Sequence, residues 1–225
     1  MVPQITRPDG TPLGFNQVML GNRIIVVGER IGDDTVMRVT ATLLALEAAD
    51  PKREIRMYIN SQGASTYSAV ALVDIMKSIS CPISTIAFGQ VNGTSALLLA
   101  AGTKGRRFMM PNARVMINQP FGVVAGSSEE VKITATELSR SMKVVNRFFA
   151  EFTGRSEEEI EEATDRDNYM GPAEAADFGL VDGMISSEKF PENGTPAPFK
   201  GKSIKEIAKL TNRDAVTGTG LGTTA

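Results

Sequence analysis

The sequence predicts an α/β domain built from parallel strand–corner–helix units. Two stretches carry that expectation, and a third shapes it. In ISTIAFGQVNGTSALLLAAG, Ile83 to Phe88 is apolar and partly β-branched, which reads as a buried strand. Gly89 to Gly93 reads as a turn with two glycines free to take positive φ, and Thr94 to Ala101 as a buried helix with Gly102 as its C-cap. The same order recurs upstream: Ile55 to Ile59 reads as a strand, Asn60 to Ser65 (NSQGAS) as a polar corner, and about Thr66 to Ser78 as a helix. The third stretch, about Ser128 to Phe152, reads as one helix too long to be covered by a domain of this size.

The corner before the Ala- and Leu-rich helix is the natural place for chemistry. Open α/β folds present catalytic groups where a strand's carboxyl end meets a helix N-terminus, and hydrolases put the nucleophile there. Here that position is Gly93, which has no side chain to react.

Composition narrows the chemistry further. The chain has 225 residues and no histidine, so no Ser-His-Asp or Cys-His arrangement and no His-based zinc site can form within it. A single cysteine, Cys81, rules out an intramolecular disulfide and reads as a buried structural thiol. A net charge of -2 gives no reason to expect nucleic acid or an anionic membrane as partner, and no apolar run is long enough for a membrane span. MVPQITRPDG lacks the apolar core of a signal peptide and does not read as a transit peptide, so any such segment is expected to precede this numbering.

The remaining elements follow in order. Residues 1 to 17 read as an arm or loop and Arg23 to Val27 as a strand. Asp34 is placed to cap a helix running to about Ala49, which Asp50-Pro51 ends. Arg107 to Met110 and Arg114 to Ile117 read as strands, and Gln119 to Gly126 as an apolar, glycine-containing loop. Ser127 or Ser128 caps the long helix, with Glu129 and Glu130 suiting its dipole. Arg155 to Ala163 reads as a short acidic helix, Thr164 to Tyr169 as a polar turn, Pro172 to Phe178 as a helix with Pro in its first turn, and Val181 to Ile185 as a last strand. Beyond Ser186 the composition turns to Pro, Gly, Asn and Thr, with one short helix expected over Lys202 to Thr211. The expected domains are an arm over 1–21, a head over 22–187 and a mostly flexible extension over 188–225.

The segments YINSQGAS, DIMKSI, GQVNGTSALLLAAGTKGRRFMMPNARVMINQP and TDRDNYMGPAEAADFGLVDGMI, in this order and spacing, resemble the proteolytic subunit of the Clp protease over about Asn22 to Ile185. The resemblance implies a stack of ββα units of the ClpP/crotonase type with a projecting handle helix. It also implies a barrel of two stacked seven-membered rings enclosing Ser–His–Asp sites. Carried over residue by residue, the nucleophile position is Gly93, the base position Asn118 and the acid position Asp167. The oxyanion region falls on Gly63, Ala64 and Thr94, where Gln62-Gly63-Ala64 stands for the family's Pro-Gly-Gly. Asp165 and Arg166 match a pair that makes ring-to-ring contacts, and Val131 and Ile133 on the handle are further candidates.

A kept fold with a lost triad is similar to the ClpR type of subunit of plastids and cyanobacteria. That likeness implies a non-catalytic structural role beside active paralogues, a plastid stroma or a cyanobacterial cytoplasm, an AAA+ Hsp100-type chaperone as partner, and no cofactor. Two alternatives stay open on the sequence. One is a Ser–Lys hydrolase using Ser95 with Lys77 or Lys104. The other is a crotonase-type acyl-CoA enzyme, although no carboxylate lies near either corner in sequence.

Overall fold

A computed structural model describes residues 5–6, 12–13, 15–186 and 202–203, with side chains described over 17–185. The elements are β1 (Ile5–Thr6), β2 (Pro12–Leu13), α1 (Phe15–Gly21), β3 (Ile24–Val27), α2 (Asp33–Ala49), β4 (Ile55–Ser61), α3 (Thr66–Ser78) and β5 (Ile83–Asn92). A 3-10 turn over Gly93–Ser95 leads into α4 (Ala96–Ala100), β6 (Arg107–Met109), β7 (Arg114–Ile117), α5 (Ser128–Thr153), α6 (Glu157–Thr164), β8 (Asn168–Met170), α7 (Pro172–Phe178), β9 (Gly183–Ser186) and β10 (Lys202–Ser203).

Strands β10-β9-β6-β5-β4-β3 form one parallel path, β7 also pairs with β5, and β8 runs antiparallel to β7. The mixed α/β architecture expected from the alternating pattern is therefore present. Helices α2, α3, α4 and α5 contribute Leu43, Leu72, Leu97, Leu99 and Phe149 to the main core against Ile55, Met57 and Ile59 of β4. The alternating burial of β4, fully buried at Ile55, Met57, Ile59 and Ser61, sets one of its faces against those helices. On the other face Ile86, Phe108 and Ile185 form a smaller cluster with Tyr58 and Met110.

Several expectations need correcting. β5 does not end at Phe88 but runs on to Asn92. Gly89 takes φ +67°, and a Cβ there would lie 3.0 Å from Asn60 Oδ1, so the glycine bends the strand instead of terminating it. Up to Ala87 the strand pairs with β4 and β6; from Gln90 it pairs with β7, and Val91 pairs again with β4, at Ser61, after a shift in register. The helix expected from Thr94 begins as a 3-10 turn, and its C-cap is Ala101, with Gly102 packed against Thr85. Gly32, not Asp34, is the N-cap of α2; Asp33 and Asp34 lie in its first turn. The polar stretch after Thr164 contains strand β8 where a turn was expected, because β7 offers it an antiparallel edge. Within the expected N-terminal arm, Phe15–Gly21 is helical. Lys202 and Ser203 form a strand on β9 and not the start of a helix; the rest of that expected helix lies outside the described residues.

Cys81 is buried, as expected of a structural thiol. Its sulfur accepts a hydrogen bond from Arg23 Nη2 at 3.2 Å. The buried Arg23 guanidinium also donates to the carbonyls of Leu46, Asp50, Arg53 and Glu54, which satisfies the loop between α2 and β4.

α5 divides along its length. Its C-terminal half buries Val145, Phe148, Phe149 and Phe152 on the head, and Lys77 from α3 pairs with Glu151 while lying over the Phe148 and Phe152 rings. All three phenylalanines are thus used within the chain. Val131 and Ile133, toward the other end, are 37% and 69% exposed.

Candidate functional site

The register of three neighbouring strands assembles the site. β5 pairs with β7 so that Asn92 faces Met116, and β7 pairs with β8 so that Ile117 faces Asn168. The residues just beyond these ends, Gly93 and Asn118, and the one just before β8, Asp167, are thereby carried into a row. Positions 49 residues apart become neighbours: Asn118 Nδ2 donates to Asp167 Oδ1 at 2.9 Å. Gly93 has φ +57°, and a Cβ built on it would sit 3.1 Å from Asn118 Oδ1. The order is therefore Gly93, Asn118, Asp167, with Asn118 half-buried and Asp167 exposed.

The chemistry of this row is limited by its residue types. Gly93 offers no nucleophile. The Asn118 amide donates and accepts hydrogen bonds but does not take up a proton at neutral pH. Asp167 orients the amide as it would orient an imidazole, by accepting one N–H.

The second corner lies alongside. Gly63 takes φ +137°, and the Ile31–Ala64 bridge holds the segment against the chain before α2. Gly63 N donates to Ser61 Oγ at 3.3 Å, and Ser61 Oγ donates to Gly63 O at 3.1 Å. Thr94 Oγ1 donates to Ala64 O at 2.7 Å. The backbone of Gly63 and Ala64 is thus tied to side chains from β4 and from the 3-10 turn, and the Gly63 amide already has an acceptor. Sequence reasoning missed both ties; a serine two residues before Gly63 was the available signal for the first, and no local signal marks the second, which spans 30 residues.

The Ser–Lys alternative finds no geometry. Ser95 is fully buried, and its hydroxyl donates to Asn92 O at 2.7 Å and to Ser61 O at 3.2 Å. Lys77 is engaged with Glu151 at 2.7 Å, and Lys104 lies exposed in the turn before β6. Ser65 caps α3, accepting from Ser68 N at 3.1 Å. Among the described residues no group of three or more His, Cys, Asp or Glu is placed to hold a metal ion.

Asp165 and Arg166 sit on the surface next to this row. Arg166 Nε lies 3.5 Å from Asp165 Oδ2, with the two side chains 91% and 62% exposed, and Gln119 Nε2 donates to Asp165. An exposed pair of this kind contributes little to folding, so both charges are free to meet another surface. In the loop that leads from Asn118 to α5, Phe121 and Val123 are 87% and 95% exposed.

Comparison with known proteins agrees with this geometry. The family model described as Clp protease matches residues 13–188. A protein of Arabidopsis thaliana named ATP-dependent Clp protease proteolytic subunit 6, chloroplastic, is 39% identical over 188 residues, which cover 84% of this chain and 69% of the relative. A second, named proteolytic subunit 4, chloroplastic, from the same plant, is 38% identical over 194 residues, covering 85% of this chain and 66% of that relative. The chain thus spans about two thirds of the length of each. A family match over most of its residues, on a parallel sheet whose strand ends align Gly93, Asn118 and Asp167, shows that this chain belongs to the Clp protease family.

Proposed function

We propose that this chain is a non-catalytic, ClpR-type structural subunit of a hetero-oligomeric Clp protease core. The observation that carries the reading is the row Gly93–Asn118–Asp167: the frame of a triad is held by strand register and by the 2.9 Å Asn118–Asp167 bond, while nucleophile and base are replaced. Loss of either group from a triad removes nearly all of its rate, and here both are absent. The oxyanion region of Gly63, Ala64 and Thr94 is degenerate in the same sense, its Gly63 amide engaged by Ser61.

In this reading the chain, with residues 22–187 as its head, contributes wall rather than chemistry. It stands beside catalytic and non-catalytic Clp paralogues in two stacked seven-membered rings. An AAA+ Hsp100-type chaperone feeds the barrel with substrate. Exposed Val131 and Ile133 on the handle, together with Asp165 and Arg166, face the opposite ring. The compartment is the plastid, and within it the stroma, in keeping with two relatives named chloroplastic. The chain uses no cofactor and binds neither nucleic acid nor membrane.

The test is reconstitution with active paralogues. Replacing the catalytic serines of those paralogues by alanine, with this chain unaltered, should abolish cleavage of a fluorogenic peptide by the mixed complex. Cleavage that persists would show that this chain is itself a catalyst.

A further inference from the structure

The N-terminal half of α5 is weakly supported by its own sequence. From Ser128 to Glu137 every residue is exposed, and the first buried side chain is Ser141. Val131, Ile133, Thr134 and Thr136 are β-branched, which lowers helix propensity. Thr134, Thr136 and Ser139 turn their hydroxyls back onto the carbonyls of Glu130, Lys132 and Ala135, at 2.8 to 2.9 Å, a pattern that weakens a helix. In its favour stand the Ser127–Glu130 capping box and one exposed Lys132–Glu129 pair. The segment continues from the packed half of α5 but buries little surface of its own, so an attachment to the head adds to what keeps it ordered.

Such an attachment is present. The Tyr67 hydroxyl, in the first turn of α3, donates to Glu137 Oε1 across the space between the two helices. Leu138 lies one residue further on and packs toward Gly122, where a Cβ would meet it at 3.7 Å. Accepting this hydrogen bond, the Glu137 carboxylate pushes the Tyr67 phenol above its usual value, so the hydroxyl remains the donor through the neutral range. Tyr67 lies two residues beyond the Gly63–Ser65 corner, so the contact joins the degenerate site's rim to the middle of the handle.

We propose that Tyr67 is a latch that holds the free half of the handle helix against the head domain through Glu137. The latch sets the position from which Val131 and Ile133 meet a partner, if the assembly reading holds. Hydrogen exchange on the full chain tests it. Tyr67→Phe keeps the ring and loses the hydroxyl, and peptides spanning 128–140 should then exchange about two- to tenfold faster, the range expected for loss of one hydrogen bond. Peptides from β4 and β5 should be unchanged. Glu137→Ala should have the same effect, and the double variant should go no further than the larger single effect, since both remove one interaction. Unchanged exchange over 128–140 in Tyr67→Phe, additive effects in the double variant, or a free half that already exchanges without protection in the unaltered chain would each overturn the latch. Exchange is read without a ring, so such a result would leave the assembly reading standing.

Discussion

Rebuilding the triad is the most demanding use of the geometry. The perturbation is Gly93→Ser with Asn118→His, which places a hydroxyl and an imidazole in line with Asp167. Two costs follow from the structure. Gly93 has φ +57°, where a side chain costs about 1–2 kcal/mol. A Cβ there also approaches the position 118 side chain to 3.1 Å, tighter than ordinary contact, so the new ring must shift slightly. For a chain of this length, a loss of about 1–2 kcal/mol lowers Tm by roughly 2–8 °C.

The rate is limited elsewhere. The Gly63 amide donates to Ser61 Oγ, and Thr94 anchors the Ala64 carbonyl, so an oxyanion would find one backbone donor already taken. Loss of one such donor costs about a hundred- to a thousandfold in kcat. The double variant should therefore react with a fluorophosphonate at the new serine yet cleave a fluorogenic peptide about a hundred- to a thousandfold more slowly than an active paralogue. Thermal melting and labelling are measured on the same preparation. Activity equal to a paralogue would refute the reasoning about the second corner, and an unchanged Tm would refute the claimed strain at position 93.

Three further outcomes are expected. The unaltered chain should cleave no fluorogenic peptide, and any cleavage that vanished on Ser95→Ala would make that buried hydroxyl a nucleophile after all. Ile133→Glu should leave the melting of the single chain within about 0.5 kcal/mol, because the side chain is 69% exposed. It should weaken ring pairing by several kcal/mol on size-exclusion chromatography, since a carboxylate buried without a partner is costly; rings that still pair would remove this helix from the interface. For Asp182, burial pushes the carboxyl up, but the hydrogen bonds and charge of Arg107, at 2.7 to 3.0 Å, outweigh it and hold the group below its ordinary value. With the folded value depressed, this pair's contribution is complete above about pH 4, the unfolded value, and is lost as pH falls through the folded one. Asp182→Asn leaves the buried Arg107 unpaired and should cost about 3 kcal/mol at neutral pH while flattening acid denaturation; an unchanged acid limb of the stability curve would count against the pair.

The local grammar of the chain is legible where sequence and tertiary demands agree. Thr66–Ser78, Arg114–Ile117 and Pro172–Phe178 have the bounds the sequence predicts, because a capping serine, an apolar and partly β-branched run and an N-terminal proline mark them. β5 outruns its expected end because glycine at position 89 signals a turn, whereas its positive φ serves a bend within a continuing strand. β8 escapes sequence reading because so short a segment, Asn168, Tyr169 and Met170, becomes a strand only when β7 lies beside it. Periodicity cannot bring Asn118 and Asp167 together across 49 residues, and only the family resemblance foresees their pairing. The Thr94–Ala64 and Tyr67–Glu137 contacts join distant segments, so no local signal announces them.

Assembly is the centre of the account, and mass spectrometry of the intact native complex tests it most directly. The chain, captured from its own source without denaturation, should appear in a double-ring particle together with Clp paralogues that carry a catalytic serine. Recovery of this chain as a monomer, or as a particle made of itself alone, would contradict the account.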